Sequence, residues 1–218
     1  MAGTLQGFQI FANLPSEYLR KLEGMAQEIV LAKGRSLFSP GDRSRGLYLV
    51  AEGVVQVYGM SPEGKEITQE IAVSGDAFAV ASLFSGSYHC FAAALKASRL
   101  YLIKKEEFLE LATSDIRFAV EWMRMLSQMV IHLRRRLVEL TLKSPKARIA
   151  GYISLQAEIQ GSRSIALPVP RKELATLLGM THETFYRTAK ELTNDGLVRF
   201  TGQSVDILDQ DRLAEIME

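Results

Sequence analysis

The sequence predicts an α+β chain: an N-terminal antiparallel β-roll of jelly-roll type with flanking helices, one long helix, and a C-terminal helical unit closed by a β-hairpin. Three observations carry this prediction. Residues 28–103 consist of short apolar runs broken by glycine turns, the pattern of many short antiparallel strands. From Ala119 to Leu140 apolar residues recur at alternating spacings of four and three, a heptad seam. After Pro145 the spacing becomes that of short helices and one hairpin.

The elements follow in order. A first helix starts at Ser16, with Leu19, Leu22 and Met25 at helical spacing. The clearest strands are Gly46 to Val50, Val54 to Tyr58, Ile67 to Ala72 and Arg99 to Ile103. They are separated by Ser39-Pro40-Gly41-Asp42, Glu52-Gly53 and Ser61-Pro62-Glu63-Gly64. Ala77 to Leu95 contains no Asp, Glu, Lys or Arg, yet Ser82, Ser85-Gly86-Ser87 and His89 interrupt it. These turn formers make it two buried pieces around a loop rather than a membrane span.

Glu106 to Ala112 is a short helix, and Asp115 opens the long one with an acid at its N-terminus. Its seam is Ala119, Met123, Leu126, Val130, Leu133, Leu137 and Leu140. A stripe this narrow favours pairing with a second helix, hence a homodimer, over packing inside one bundle. Arg134-Arg135-Arg136 reads as a solvated face beside it. Phe118 and Trp122 pack the helix onto the roll. Pro145 ends the seam and opens a new helix, Lys146 to Gln160. The expected divisions are therefore 1–113 for the roll, 114–142 for the dimerisation helix and 143–218 for the last domain.

Composition narrows the function. The 218 residues, 47% hydrophobic and 23% charged, have ordinary globular values. With 26 basic and 25 acidic residues the net charge is +1, so any nucleic-acid binding needs a local basic face. The single cysteine, Cys90, excludes a disulfide framework, a four-cysteine zinc site and a four-cysteine iron–sulfur cluster. That usage, and an N-terminus without a charged n-region and long apolar stretch, predict a cytoplasmic protein. No Gly-x-Ser-x-Gly elbow, P-loop or His-Glu-x-x-His occurs, so no enzyme is expected.

The last domain carries the strongest signal. Arg171 to Leu178 is a short amphipathic helix, Gly179-Met180-Thr181 a tight turn, and His182 to Leu192 a second helix with Thr181 as N-cap. Leu174, Ala175, Leu178, Phe185, Ala189 and Leu192 face inward. This is a helix-turn-helix. A hairpin of Leu197 to Phe200 and Ser204 to Ile207 gives it a wing. The outward face presents His182, Glu183, Tyr186, Arg187 and Lys190, side chains that reach bases and phosphates in a major groove. Residues 143–204 hold nine basic and five acidic residues. The DNA-contact set is Arg171, Thr181, His182, Glu183, Thr184, Tyr186, Arg187 and Lys190.

Taken together, Pro40-Gly41-Asp42, Leu47 to Val57, the seam, Lys146-Ala147-Arg148-Ile149-Ala150 and Arg171 to Phe200 resemble the CRP/FNR family of transcription regulators over residues 10–215. The resemblance implies a dimer on a two-fold, palindromic double-stranded DNA site, with RNA polymerase as a further partner. It also implies that Glu183 and Arg187 of the core Glu183-Thr184-Phe185-Tyr186-Arg187 read bases. Tyr186 stands where serine or glycine is frequent, and His182 where arginine or valine is.

For the roll, the resemblance points to an effector-binding region of Gly75, Asp76, Phe78, Tyr88 and His89. Family members that bind cyclic AMP carry an arginine–serine pair where Tyr88 and His89 stand. A buried phosphate without a cation is unfavourable, so cyclic AMP is not expected. Two effector readings stay open. One is haem, as in nitric-oxide and carbon-monoxide sensors, with His89, Cys90 or a methionine as axial ligand. The other is a small organic ligand, or none. A lone histidine beside aromatic residues also serves as an ordinary structural residue, and His132 beside the seam as an exposed helix residue. Cys90 is read as a small buried side chain. A reading from a different class is a ligand-binding regulatory subunit acting on a protein partner, which leaves the helix-turn-helix unused.

Overall fold

In the computed structural model residues 5–64 and 66–217 are described. Met1 to Thr4, part of the segment behind the expectation of no secretory signal, lie outside them, as do Lys65 and Glu218. The chain forms two compact units, residues 1–129 and 130–218, dividing within the long helix.

After two 3₁₀ turns (Leu5–Gly7 and Gln9–Phe11), the first unit has helix α1 (Ser16–Met25) and continues as two four-stranded antiparallel sheets. One has strands β1 (Ala26–Leu31), β3 (Gly46–Glu52), β6 (Ala77–Phe78) and β8 (Ser98–Lys104), in the order β1-β8-β3-β6. The other has β2 (Ser36–Phe38), β4 (Val54–Met60), β5 (Glu66–Val73) and β7 (Phe91–Ala94), in the order β2-β7-β4-β5. This is the predicted roll.

The central strand β3 is buried along Gly46 to Val50 because both its faces are covered. Tyr48 and Val50 point between the sheets, where they meet Phe38, Val55, Val57, Phe78 and Leu100. Leu47 and Leu49 point the other way, onto Tyr18 and Leu22 of α1, Phe108 of α2 (Lys105–Ser114) and Phe118 and Trp122 of α3 (Ile116–Leu142). Phe108 and Trp122 meet edge to face, with centroids 4.5 Å apart. Phe118 and Trp122 thus pack the start of the long helix onto the roll, as expected.

The charge-free run from Ala77 resolves into β6, a 3₁₀ turn (Val80–Phe84), a loop and β7. No described helix is long and apolar enough to cross a membrane.

Asp115 caps α3. Its carboxylate accepts the amides of Arg117 (3.1 Å) and Phe118 (3.3 Å) and bonds to the Tyr18 hydroxyl at 3.2 Å and the Lys21 ammonium at 3.4 Å. Along α3, Met123, Val130, Leu133, Leu137 and Leu140 of the seam are exposed, while Ala119 and Leu126 are half-buried.

The second unit contains the end of α3 and then α4 (Pro145–Gln160), α5 (Arg171–Leu177), α6 (His182–Asn194) and α7 (Gln210–Glu215). A small sheet has the order β10-β11-β9, from β9 (Ser164–Ala166), β10 (Val198–Thr201) and β11 (Ser204–Ile207). The wing hairpin is as expected, and β9 adds a strand to it. Ser144 caps α4, its hydroxyl accepting the Ala147 amide at 3.1 Å. Ile149, Ile153, Leu174, Phe185, Leu192, Val198, Val205 and Leu213 form the core of this unit.

Candidate nucleic-acid interface and sensor interior

Two neighbouring structures hold the helix-turn-helix in shape. Gly179 has φ of +63°, and a Cβ there would lie 3.0 Å from Leu140 Cδ2 and 3.1 Å from Arg148 Nη1. Both conformation and space therefore call for glycine in this turn. The carbonyls at the end of α5 and in the turn after it, which have no intrahelical partner, accept from two arginines. Arg136 Nη2 donates to the Leu177 carbonyl at 3.2 Å, and Arg148 Nη1 to those of Leu178 (2.7 Å) and Gly179 (3.1 Å).

Sequence reasoning missed this clamp. The run Arg134 to Arg136 was expected to be solvated throughout, and Arg134 and Arg135 are exposed. One residue further round the helix, Arg136 turns to the α5 carbonyls and is half-buried. The position of Arg136 four residues before Leu140 on the seam-bearing helix was the available signal.

Thr181 caps α6. Its hydroxyl accepts the Thr184 amide at 3.1 Å and shares a hydrogen bond with the Thr184 hydroxyl at 2.9 Å. Beyond this cap, His182, Glu183, Tyr186, Arg187 and Lys190 are all exposed on α6, while Phe185, Thr188, Ala189 and Leu192 are buried. The structure therefore brings the predicted reading residues onto one open face.

Arg171 is engaged differently. Its Nη2 donates to the Gly202 carbonyl at 2.9 Å, and its guanidinium stands 4.9 Å from the Phe200 ring centre and 5.9 Å from that of Tyr186. It links the wing to α6. At the far end of α6, Lys146 bonds Asp195 at 2.6 Å, tying α4 to the recognition helix.

Inside the roll, the predicted effector region is built into the protein's own structure. Gly75 (φ +94°) and Asp76 form a turn stitched to β3: the Gly75 amide donates to the Val50 carbonyl at 3.0 Å, and the Val50 amide to that of Asp76 at 2.9 Å. Burial pushes the Asp76 carboxyl up, and the Val73 amide bonded to it at 2.9 Å pulls it back in part. Phe78 and Tyr88 are buried with Phe38 and Tyr48 in a stack. Phe38 and Tyr88 lie 3.8 Å apart and 11° from parallel, and Tyr48 and Phe78 are 5.3 Å apart. The Tyr88 hydroxyl accepts the Arg45 amide at 2.9 Å and stands 3.3 Å from the Gly46 carbonyl and the Tyr48 hydroxyl. Burial pushes the Tyr48 phenol far up.

His89 lies between buried Tyr88 and Cys90 but is itself exposed. This corrects the expectation that it could face an interior cofactor, because the chain alternates here and turns its neighbours inward. Four stacked rings occupy the interior between the sheets and His89 stands outside it, so the residues present do not fit haem there with His89 as ligand. Among the described residues no three His, Cys, Asp or Glu side chains are grouped to hold a metal ion. Burial pushes the Cys90 thiol up, the opposite of a reactive thiolate. His132 is exposed on α3, as an ordinary helix residue would be.

The cyclic nucleotide-binding domain family matches residues 28–115, and the Crp-like helix-turn-helix domain family matches residues 147–216. The Electron transport regulator A of Shewanella oneidensis is 25% identical over 188 residues, 84% of this chain and 75% of that protein. The Fumarate and nitrate reduction regulatory protein of Escherichia coli K12 is 26% identical over 191 residues, 85% of this chain and 76% of that protein. The solved structure of FixK2 from Bradyrhizobium japonicum shares the fold, with a TM-score of 0.78 at 22% identity over 88% of this chain and 98% of that one. Both curated relatives named here are regulators. With both domain families matched in this order and curated relatives that span most of its length, the chain belongs to the CRP/FNR family of transcription regulators.

Proposed function

We propose that this regulator acts as a homodimer on a two-fold symmetric DNA site, with α6 of each protomer in the major groove. The observation that carries this is the open face of α6, where Glu183, Arg187 and Lys190 stand exposed above a fully buried inner face. Arg187 grips a guanine through O6 and N7, Glu183 accepts from a cytosine amino group, and Lys190 meets phosphate. Thr181 and Thr184 position the helix start, and Arg171 steadies the wing beside it. A DNA-binding regulator works in the cytoplasm with its operator, and RNA polymerase is the partner on which it acts.

The seam supports the dimer. Met123, Val130, Leu133 and Leu137 are each more than half exposed in the single chain, an apolar line that a second α3 would cover. The same helix bears Arg136 and Leu140 against the helix-turn-helix turn. A change in seam pairing therefore reaches both recognition helices, as a shift between DNA-competent and incompetent dimers. The effector that drives it is neither cyclic AMP nor a haem held between the sheets, because Tyr88 and His89 stand in place of an arginine–serine pair and stacked rings occupy the interior. A saturable Soret band at one haem per protomer on titration would overturn the second exclusion.

The dimer is tested by sedimentation equilibrium of the wild type and of Leu133→Asp. The wild type sediments as a dimer. Leu133→Asp buries two facing charges at the seam, shifts the protein to monomer and weakens operator binding by at least tenfold. An Asp variant that stays dimeric at micromolar concentration places the interface elsewhere.

A further inference from the structure

The first two turns of α6 carry an aromatic pair as well as Glu183 and Arg187. His182 and Tyr186 are one turn apart on the same face, with ring centres 4.5 Å apart and planes at 68°. Both are exposed, Tyr186 by 45%. Tyr186 is backed by the Arg171 guanidinium at 5.9 Å and by Phe185 at 6.1 Å. Arg171 in turn is held by Phe200 and the Gly202 carbonyl of the wing. Tyr186 thus has neighbours held by the fold beside it and keeps an open surface on the face proposed to meet DNA.

Charged and hydrogen-bonding side chains elsewhere on this face suit guanine, cytosine and phosphate. A ring pair suits something else. In the major groove the apolar group on a base edge is the thymine 5-methyl, which is recognised by apolar contact. The geometry points to Tyr186, walled by His182, as the residue that reads a thymine methyl in each half-site. Tyr186 and Arg187 are consecutive on α6, about 1.5 Å apart along its axis and so less than one base-pair rise, and that thymine therefore lies within about two base pairs of the guanine gripped by Arg187. This inference rests on the DNA reading above and adds a base to it. Glycine or serine at position 186 could not cover a methyl group in this way.

The experiment selects binding sites from a random-sequence duplex library with the full-length protein. Each thymine of the selected site is then replaced by deoxyuridine, which removes only the 5-methyl. Burial of one methyl-sized group corresponds to about a fourfold change in affinity, or about fifteenfold when both half-sites are replaced. The expected result is that loss at one symmetric thymine position, in wild type and in Tyr186→Phe. In Tyr186→Ala the same replacement has no effect, while the variant retains its circular dichroism spectrum and its preference for the Arg187 guanine. Several outcomes overturn the inference: no A·T pair near that guanine, indifference of the wild type to deoxyuridine, equal sensitivity in Tyr186→Ala, or loss of the effect in Tyr186→Phe, which would assign the reading to the hydroxyl. Failure to select any sequence would instead overturn the DNA reading itself and this inference with it.

Discussion

Ala79 holds φ of +59° and ψ of +20°, a left-handed conformation among the described non-glycine residues that it alone adopts. It sits between buried Phe78 and buried Val80 at the start of the 3₁₀ turn, so the surrounding core imposes the strain. A Cβ in this region costs about 1 kcal/mol. Ala79→Gly is therefore expected to raise the unfolding free energy by about 1 kcal/mol, read from urea melts. An unchanged or lower midpoint would mean that Ala79 packing outweighs the relief. Nothing in an Ala-Phe-Ala-Val stretch signals a left-handed residue, whereas Gly75 and Gly179 do signal their turns. Similarly, the sequence placed Tyr88 and His89 in one region but could not say which faced inward. The answer came from the Arg45 amide and the Phe38 ring, more than forty residues away in sequence, which take Tyr88 and leave His89 outside.

Among the elements, α3 was the most legible. The acid at its start, its heptad spacing and its end before Pro145 all follow local rules, and the helix runs from Ile116 to Leu142 as those rules require. The short strands β1, β2, β6 and β7 were not legible individually. β1 has exposed Val30 and half-buried Ile29, so its apolar pattern is weak, and it is fixed by six-residue pairing with β8. The Arg136 clamp was equally hidden, because it depends on where α5 ends. Asp115 supplies the prediction at this scale. Burial opposes ionisation of its carboxyl, but the amides of Phe118 and Arg117, the Lys21 ammonium and the Tyr18 hydroxyl outweigh it and hold the carboxyl below the usual carboxylate range. A depressed folded value means the stabilisation is complete above the unfolded value near about 3.9 and is lost as pH falls through the folded one. Wild type should lose stability below about pH 4, and Asp115→Asn should lose less over the same interval. Parallel acid transitions in urea melts of the two proteins would show that Asp115 carries no such stabilisation.

For the whole molecule, a roll whose interior is filled by stacked rings is joined through a seam-bearing helix to a helix-turn-helix with an open reading face. The recognition helix was readable from sequence because its periodicity, cap and turn are local. The closed roll interior was not, because stacking of Phe38, Tyr48, Phe78 and Tyr88 brings together four separate segments. The central claim is sequence-specific DNA binding by α6. The direct test is an anisotropy titration of wild type and Arg187→Ala on the selected two-fold duplex and on a scrambled duplex, at several salt concentrations. The expected result is that wild type prefers the two-fold duplex, that Arg187→Ala loses about 1–3 kcal/mol there, and that the scrambled duplex binds both proteins alike with a steep salt dependence. Equal wild-type affinity for the two duplexes, or equal loss by Arg187→Ala on both, would contradict it.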